Sequence, residues 1–330
     1  MKFKSIGIAG ITGAVGQEIL GLLEKDKEFN GELRIFASKR SEGKEFAYRE
    51  SKIITEEFTV DKASECELVF FAVSGDFSKE NARKLTEKGV YVIDNSSAFR
   101  LDDDTPLIVP EVNPNALKKE DRLIANPNCS TIQLLVAVAP LERDYGIERI
   151  SVATYQAASG AGQQAISELL DCTQAQIAGE DSPKFEKFAR NPAFNCIPAI
   201  DVFVEDDYTK EETKLIHESR KILSRPELKV TATAVRVPAI RSHSEAVNIQ
   251  LKKEFNLDNI KESLKNSKGL EVAEDSKEFH TPQDASGNCT TYVGRIRYDR
   301  TLDNSLNMWV VADQLLRGAA YNAVEIARII

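Results

Sequence analysis

The chain has 330 residues, 42% of them hydrophobic and 29% charged, which is ordinary globular composition for about two domains and excludes long disorder or a fibrous repeat. Its net charge of −9 argues against a general nucleic-acid binder, though not against a local basic pocket. The longest strongly apolar stretch, Leu134–Leu141, is far short of the roughly 20 residues that span a bilayer.

The opening run MKFKSIGIAGITGAVG is broken by glycines and does not read as a signal-peptide core. It reads instead as a strand at Ser5–Gly10, a tight loop, and a helix at Ala14–Lys25. Gly10, Gly13 and Gly16 fall at GxxGxxG spacing. Glycine permits the turn and lets backbone N–H groups approach a pyrophosphate at the helix N-terminus, so Gly10, Thr12, Gly13, Ala14, Val15 and Gly16 form a candidate dinucleotide loop. A strand at Leu33–Ala37 leads into Ser38-Lys39-Arg40-Ser41. An NAD enzyme usually carries an acid here for the ribose 2′-hydroxyl. Ser38, Arg40 and Ser41 suit the 2′-phosphate of NADP instead. The apolar run Leu68–Ser74, a helix near Ser78–Lys88 and a strand at Val90–Asp94 complete a pattern of unalternating strands separated by helices. That is the signature of a doubly wound parallel sheet, a Rossmann-type α/β half.

Next comes Asn126-Pro127-Asn128-Cys129-Ser130-Thr131. Pro127 stops the extended segment and an apolar helical run starts after Cys129. A thiol at a helix N-terminus is a candidate nucleophile, because the dipole and free N–H groups favour a thiolate. Cys66, Cys172, Cys196 and Cys289 have no such setting. Cys66 lies among acids, which would raise its pKa. Five scattered cysteines without a CxxC pair give neither a disulfide framework nor a zinc cluster, and suggest a reduced, cytoplasmic protein with no metal.

The second half alternates with period two at Val230–Val237 and Glu245–Lys252, with Thr291–Arg297 a further candidate. This predicts antiparallel strands with one packed face, and so an α+β half. A thiol nucleophile wants a base, and the chain has three histidines. His217 lies on a charged helix and His280 in a polar loop. His243 sits between two strands, where catalytic groups tend to gather. The tail Asp313–Ile330 reads as one amphipathic helix returning to the nucleotide half. The expected domains are therefore 1–128 with 313–330, and 129–312. A nucleotide half, a helix-capping thiol and a histidine point to aldehyde or acyl oxidoreduction through a thioester.

These residues resemble the aspartate-β-semialdehyde dehydrogenase family. The matching segments are GITGAVG (10–16), ASKRSEGK (37–44), VIDNSSAFR (92–100), VPEVN (109–113), NPNCSTIQ (126–133), TYQAASGAG (154–162), VRVPAIRSHSE (235–245), YVGRIR (292–297) and MWVVADQLLRGAAYN (308–322). The resemblance implies NADPH-dependent reductive dephosphorylation of L-4-aspartyl phosphate to L-aspartate 4-semialdehyde. It implies a place in lysine, threonine, methionine and diaminopimelate synthesis, and a homodimer often paired into tetramers. Cys129 would be the nucleophile, His243 the acid and base, and Gln156 the residue orienting the substrate. Arg236 would clamp the substrate carboxylate and Glu211 its amino group. Arg100, Asn128 and Lys214 would hold phosphate. Ser159, Gly160 and Gln314 would line the nicotinamide side. The segment Ile177–Asn191 looks shorter and more polar than in many relatives, so its role is left open.

Two other readings compete. N-acetyl-γ-glutamyl-phosphate reductases run the same chemistry one carbon longer, but typically place glycine directly before the nucleophile, where this chain has Asn128. A non-catalytic dimeric paralogue would be expected to have lost Cys129, His243 or Arg236.

Overall fold

The computed structural model describes residues 1–275 and 277–330. The chain forms two compact units, Met1–Asn128 with Ala319–Ile330, and Cys129–Gly318.

In the first unit, β1 (Ser5–Ala9), α1 (Ala14–Lys25), β2 (Glu32–Ala37), a hairpin of β3 (Glu45–Tyr48) and β4 (Ser51–Ile54), β5 (Glu56–Glu57), α2 (Val60–Ala63), β6 (Leu68–Phe71), α3 (Gly75–Thr86), β7 (Tyr91–Asp94) and β8 (Leu123–Ala125) follow one another. Six strands form one sheet in the order β5-β2-β1-β6-β7-β8, and every pairing is parallel. The unalternating apolar strands have this cause: Ile6 and Ile8 face α1 through Ile19 and Leu23, while Val69 and Phe71 face the opposite layer with Phe58 and Phe77. Both faces of these central strands are buried, so both of their sides are apolar. The apolar run from Leu68 stops being strand at Phe71 because the Ser74 hydroxyl accepts from the Phe77 N–H and caps α3.

The second unit contains α4 (Cys129–Tyr145), β9 (Ile147–Gln156), α5 (Gln163–Ala178), α6 (Lys210–Ile222), β10 (Lys229–Arg236), β11 (His243–Leu251), α7 (Leu257–Lys265), β12 (Leu270–Val272), α8 (Pro282–Ala285), β13 (Thr291–Tyr298) and β14 (Ser305–Ala312). Its sheet runs β10-β9-β11-β14-β13-β12. Strands β9, β11, β14 and β13 pair antiparallel in turn. Against expectation, β10 lies parallel to β9. Its alternation correctly reports that one face is buried. It carries no information on direction, which is set by the long helical crossover through α5 and α6. The buried face of β10 is Val230, Ala232, Ala234 and Arg236.

The tail also departs from a single helix. After β14 the Asp313 carboxylate accepts the N–H groups of Leu315 and Leu316, which turns the chain. A π-helical turn over Leu316–Ala320 precedes α9 (Tyr321–Ile329). Helix α9 packs on α1 through Ala323, Val324 and Ala327 in the core of the first unit. Among the described residues no helix is long and apolar enough to cross a membrane.

Candidate active site

The glycine loop of the first unit is a cradle shaped by backbone. Gly10 has φ +89°, and a Cβ there would stand 2.1 Å from the Ala72 carbonyl oxygen. A Cβ on Gly16 would stand 2.5 Å from the Gly10 carbonyl oxygen. Side chains are therefore excluded, which is what close approach of a pyrophosphate demands. Gly13 gives α1 no side-chain cap, so its first N–H groups remain for an anion. Thr12 and Gly13 are exposed, with Ala14 and Val15 half-buried. These features fit a dinucleotide. At the end of β2, Ser38 and Arg40 are exposed and Ser41 is half-buried. A carboxylate from the neighbouring edge strand also approaches this turn. Glu57 pairs in register with Ala37 and lies 3.6 Å from the Lys39 ammonium.

Arg100 is buried in the same unit. Its Nε donates to the Asn126 carbonyl at 2.9 Å and an Nη to the Asn95 carbonyl at 2.8 Å. Asn126 in turn donates to Asn95 Oδ1 at 2.9 Å and accepts from Asn322 at 2.7 Å. This asparagine net fixes the segment leading through Asn128, itself buried, to Cys129. It joins residues far apart in sequence, and so had no local signal.

In the second unit Cys129 is the first residue of α4. Gly318 lies against it, and a Cβ there would come within 2.7 Å of the Cys129 Cβ. Sequence reasoning missed this contact. Its trace was a glycine inside a helical pattern, which costs stability unless packing requires it. The end of β9 supplies Gln156, whose Oε1 accepts from the Thr154 hydroxyl at 3.0 Å and whose Nε2 donates to Glu211 at 3.1 Å. Glu211 also takes the Lys214 ammonium at 2.9 Å, and Lys214 reaches Asp201 at 3.1 Å. Its neighbour Glu212 serves the fold. It closes a capping box with Thr209 and accepts the Ala234 N–H at 2.9 Å. The two adjacent glutamates are thus divided between site and scaffold by the 3.6-residue period of α6.

Arg236, at the end of β10, donates from Nη1 to the Ala157 carbonyl at 2.6 Å. The Ala157 N–H donates to His243 Nδ1 at 3.0 Å. Ala157, another residue the sequence did not signal, thus anchors both side chains through its backbone. Gly160 backs onto both, since a Cβ there would lie 3.0 Å from His243 Nε2 and 3.2 Å from Arg236 Nη1. Gln314 accepts from the Ser242 N–H at 2.7 Å and donates to the Ser159 hydroxyl. Of the other histidines, His217 is exposed and His280 stacks on Tyr292.

The electrostatics follow from burial. His243 is fully enclosed, and its pKa is pushed down to about 3, first by desolvation and then by the Arg236 charge, against a smaller pull from Glu211. It is neutral at pH 7. Because Nδ1 accepts from Ala157, the proton of the neutral ring belongs on Nε2, which has no partner among the described residues. As held, the ring is a donor. Burial also lowers the pKa of Arg236, opposed by Glu211 and by Cys129. Burial works against the charge on Lys214, but Glu211 and then Asp201 outweigh it and hold its pKa above the usual value. The Cys66 thiol is pushed up to about 11, chiefly by burial rather than by the nearby acids.

A parallel sheet with a glycine cradle, and a mixed sheet gathering glutamine, glutamate, arginine and histidine, define a nucleotide-dependent oxidoreductase. Two family models match in chain order: semialdehyde dehydrogenase, NAD binding domain, over residues 5–120, and semialdehyde dehydrogenase, dimerisation domain, over residues 138–317. Aspartate-semialdehyde dehydrogenase of Aquifex aeolicus is 44% identical, across 98% of this chain and 97% of that one. The Bacillus subtilis enzyme of the same name is 41% identical, across 98% and 96%. A crystal structure of aspartate semialdehyde dehydrogenase II from Vibrio cholerae, complexed with ASA, superposes with a TM-score of 0.95 at 40% identity, covering 100% of this chain and 98% of that one. That of the Candida albicans enzyme with NADP gives 0.77 at 25% identity, covering 99% and 98%. The chain belongs to the aspartate-semialdehyde dehydrogenase family. It is accordingly an oxidoreductase of amino-acid biosynthesis with an NAD(P)-binding domain.

Proposed function

We propose that this enzyme reduces L-4-aspartyl phosphate to L-aspartate 4-semialdehyde with NADPH, reversibly, through a thioester on Cys129, and so feeds lysine, threonine, methionine and diaminopimelate synthesis. The observation that carries this reading is the buried cluster of Gln156, Glu211, Arg236 and His243 in the unit that Cys129 opens. A fixed guanidinium and a fixed carboxylate suit an amino acid, which presents a carboxylate and an ammonium.

The Cys129 thiolate attacks the acyl carbon, a C–S bond forms, and the C–O bond to phosphate breaks with its electron pair leaving on phosphate. Arg100, Asn128 and Lys214 bind that phosphate. The nicotinamide cofactor supplies the hydride that reduces the thioester carbonyl, beside Ser159, Gly160 and Gln314. His243 donates a hydrogen bond from Nε2–H to the carbonyl oxygen as that oxygen gains the electron pair. The substrate carboxylate on Arg236 offsets the charge that depresses His243. Collapse of the thiohemiacetal anion re-forms the carbonyl and breaks the C–S bond, which frees the aldehyde and the Cys129 thiolate, with His243 Nε2 sharing its proton with the oxygen throughout. Gln156, held by Thr154 and Glu211, orients the reacting carbonyl.

Ser38, Arg40 and Ser41 support NADP over NAD. The outer face of the second sheet carries the tilted Tyr155–Trp309 pair and suits a homodimer across that face, with pairing into tetramers left to test. The test of the activity is the reverse assay: aspartate semialdehyde, phosphate and either NADP or NAD, followed by absorbance of the reduced cofactor. Turnover with aspartate semialdehyde and NADP is expected. Preference for N-acetylglutamate semialdehyde would overturn the substrate, and no turnover with either would overturn the activity.

A further inference from the structure

The inner face of the second sheet carries two successive rows of polar side chains. In the first row His243 lies opposite Ala312, one step beyond the Ser244–Tyr155 pair and so beside Gln156. In the second, Glu245 stands between Thr154 of β9 and Val310 of β14. Side chains on a strand repeat every second residue, so His243 and Glu245 point to the same side. Helix α4 lies against β9, β11 and β14. On it Cys129 and Gln133 are four residues apart, hence on one helix face. The nucleophile and the histidine belong to the first row, while Gln133 and Glu245 form the second.

The second row is chemically odd. Glu245 and Gln133 are both fully buried at 0% exposure. The Glu245 carboxyl meets the Gln133 amide, and burial raises its pKa well above the usual range. Among the described residues no bond of ordinary geometry engages either carboxyl oxygen or either amide atom. An ionised carboxylate sealed in such a place is costly without a cationic partner. A neutral acid removes that cost and changes the fit. A carboxylic acid offers one O–H and one C=O, and a primary amide offers one C=O and an N–H. The two groups match as a reciprocal two-bond pair.

We propose that Glu245, as a neutral acid paired with Gln133, is a positioning residue that fixes the rotation of α4 on the sheet and so the placement of Cys129 relative to His243. The second row works as a key beneath the first. Thr154 ties the rows together from the other side, since it bonds Gln156 at 3.0 Å. A helix free to turn by a few degrees moves its N-terminal sulfur by a sizeable fraction of an ångström. Near-attack geometry is sensitive at that scale, with roughly 100-fold in rate lost for about 1 Å.

This inference rests on Cys129 being the nucleophile, and the experiment separates the two. Purified Glu245→Gln, Glu245→Leu, Gln133→Leu and Cys129→Ser are compared with wild type for kcat and KM in the reverse assay, for thermal unfolding, and for iodoacetamide alkylation of the Cys129 peptide followed by mass spectrometry. Leucine removes the pairing at similar volume, whereas glutamine keeps a neutral donor and acceptor. Glu245→Leu is expected to lose about tenfold in kcat with KM within about threefold, and to alkylate Cys129 at a changed rate, because the thiol has been displaced. Glu245→Gln should hold kcat within about threefold. Should Glu245→Leu fail to fold, Gln133→Leu carries the same expectation. Unchanged kcat in the leucine variants overturns the proposal. So does equal damage in Glu245→Gln, since a neutral pair would then not be what matters. A lowered melting temperature with unaltered Cys129 alkylation and kcat would make the pair purely structural, and also overturns it. Retained turnover in Cys129→Ser would instead sink the thioester reading itself.

Discussion

The two units build their sites in opposite ways. In the first, the cradle is one contiguous loop, Gly10 to Gly16, and its working parts are backbone N–H groups exposed by the absence of side chains. In the second, the cluster is gathered from five separate segments: the start of α4, the end of β9, the first turn of α6, the turn from β10 to β11, and the chain after β14. Its working parts are side chains whose positions depend on one another. A local site is robust to distant change and intolerant of any added atom. A gathered site depends on every anchor. The Ala157 peptide groups illustrate this, since one donates to His243 and the other accepts from Arg236.

That contrast can be broken at specific atoms. The largest effect is expected from Cys129→Ser, which should lower turnover by about 10⁴-fold. NADPH affinity by fluorescence titration should change less than about twofold, because the cradle belongs to the other unit. Comparable losses of both would erase the distinction.

Two glycine variants sharpen it. Gly318→Ala places a methyl group 2.7 Å from the Cys129 Cβ, and should cost on the order of 100-fold in kcat with cofactor binding nearly intact. Gly10→Ala, with φ +89° and the Ala72 oxygen 2.1 Å away, should do the reverse, weakening cofactor binding at least about tenfold and lowering the melting temperature. Matched kinetics and calorimetry on the pair decide the point. Arg236→Ala should reduce kcat/KM for the semialdehyde by about 50-fold through lost carboxylate binding, leaving the cofactor KM within about twofold. A cofactor defect with normal substrate KM would move Arg236 to the other side of the comparison.

The buried row also sets a pH dependence. The folded pKa of His243, about 3, lies below its ordinary value of 6.5. Its contribution to stability is therefore complete above pH 6.5 and is lost as pH falls from there toward 3. Between pH 7.5 and 5 this removes about 2 kcal/mol. Glu245 works in the opposite sense. Its raised pKa contributes stability below its ordinary value of 4.5, lost as pH rises through the folded value. Urea unfolding at pH 7.5 and 5 should show His243→Asn gaining on wild type with acidification, and Glu245→Gln falling behind. Parallel pH curves for all three would place both residues in water rather than in the core. The smallest effect lies at the cradle's edge. Glu57→Gln frees Lys39 from its 3.6 Å partner and should raise preference for NADP over NAD by about threefold, the scale of one exposed ion pair. A shift toward NAD would reverse that assignment.

Much of the fold was legible because its signals are local. Unalternating apolar strands separated by helices specify a parallel sheet covered on both faces, and glycine spacing specifies a loop where side chains cannot fit. Period-two alternation located β10 and β11, and the helix start at Cys129 was marked by Pro127 and the apolar run beyond it. The direction of β10 was not legible. Alternation measures burial, and burial is blind to which way the neighbouring strand runs. The tail was misread as one helix because hydrophobic periodicity continues through the turn that the Asp313 carboxylate makes.

The amino-acid order by itself determined the two-part architecture, the cradle, and the residue types needed for thiol and carboxylate chemistry. Tertiary structure decided which of them lie together. It turned Glu211 to Gln156 and Lys214 and gave Glu212 to the scaffold. It brought Gly318 against Cys129, hung His243 and Arg236 from Ala157, and left Glu245 facing Gln133. The physical reason is one of range. Propensity, capping and glycine conformation act within a few residues, whereas desolvation and hydrogen-bond pairing act between whatever surfaces the fold buries together.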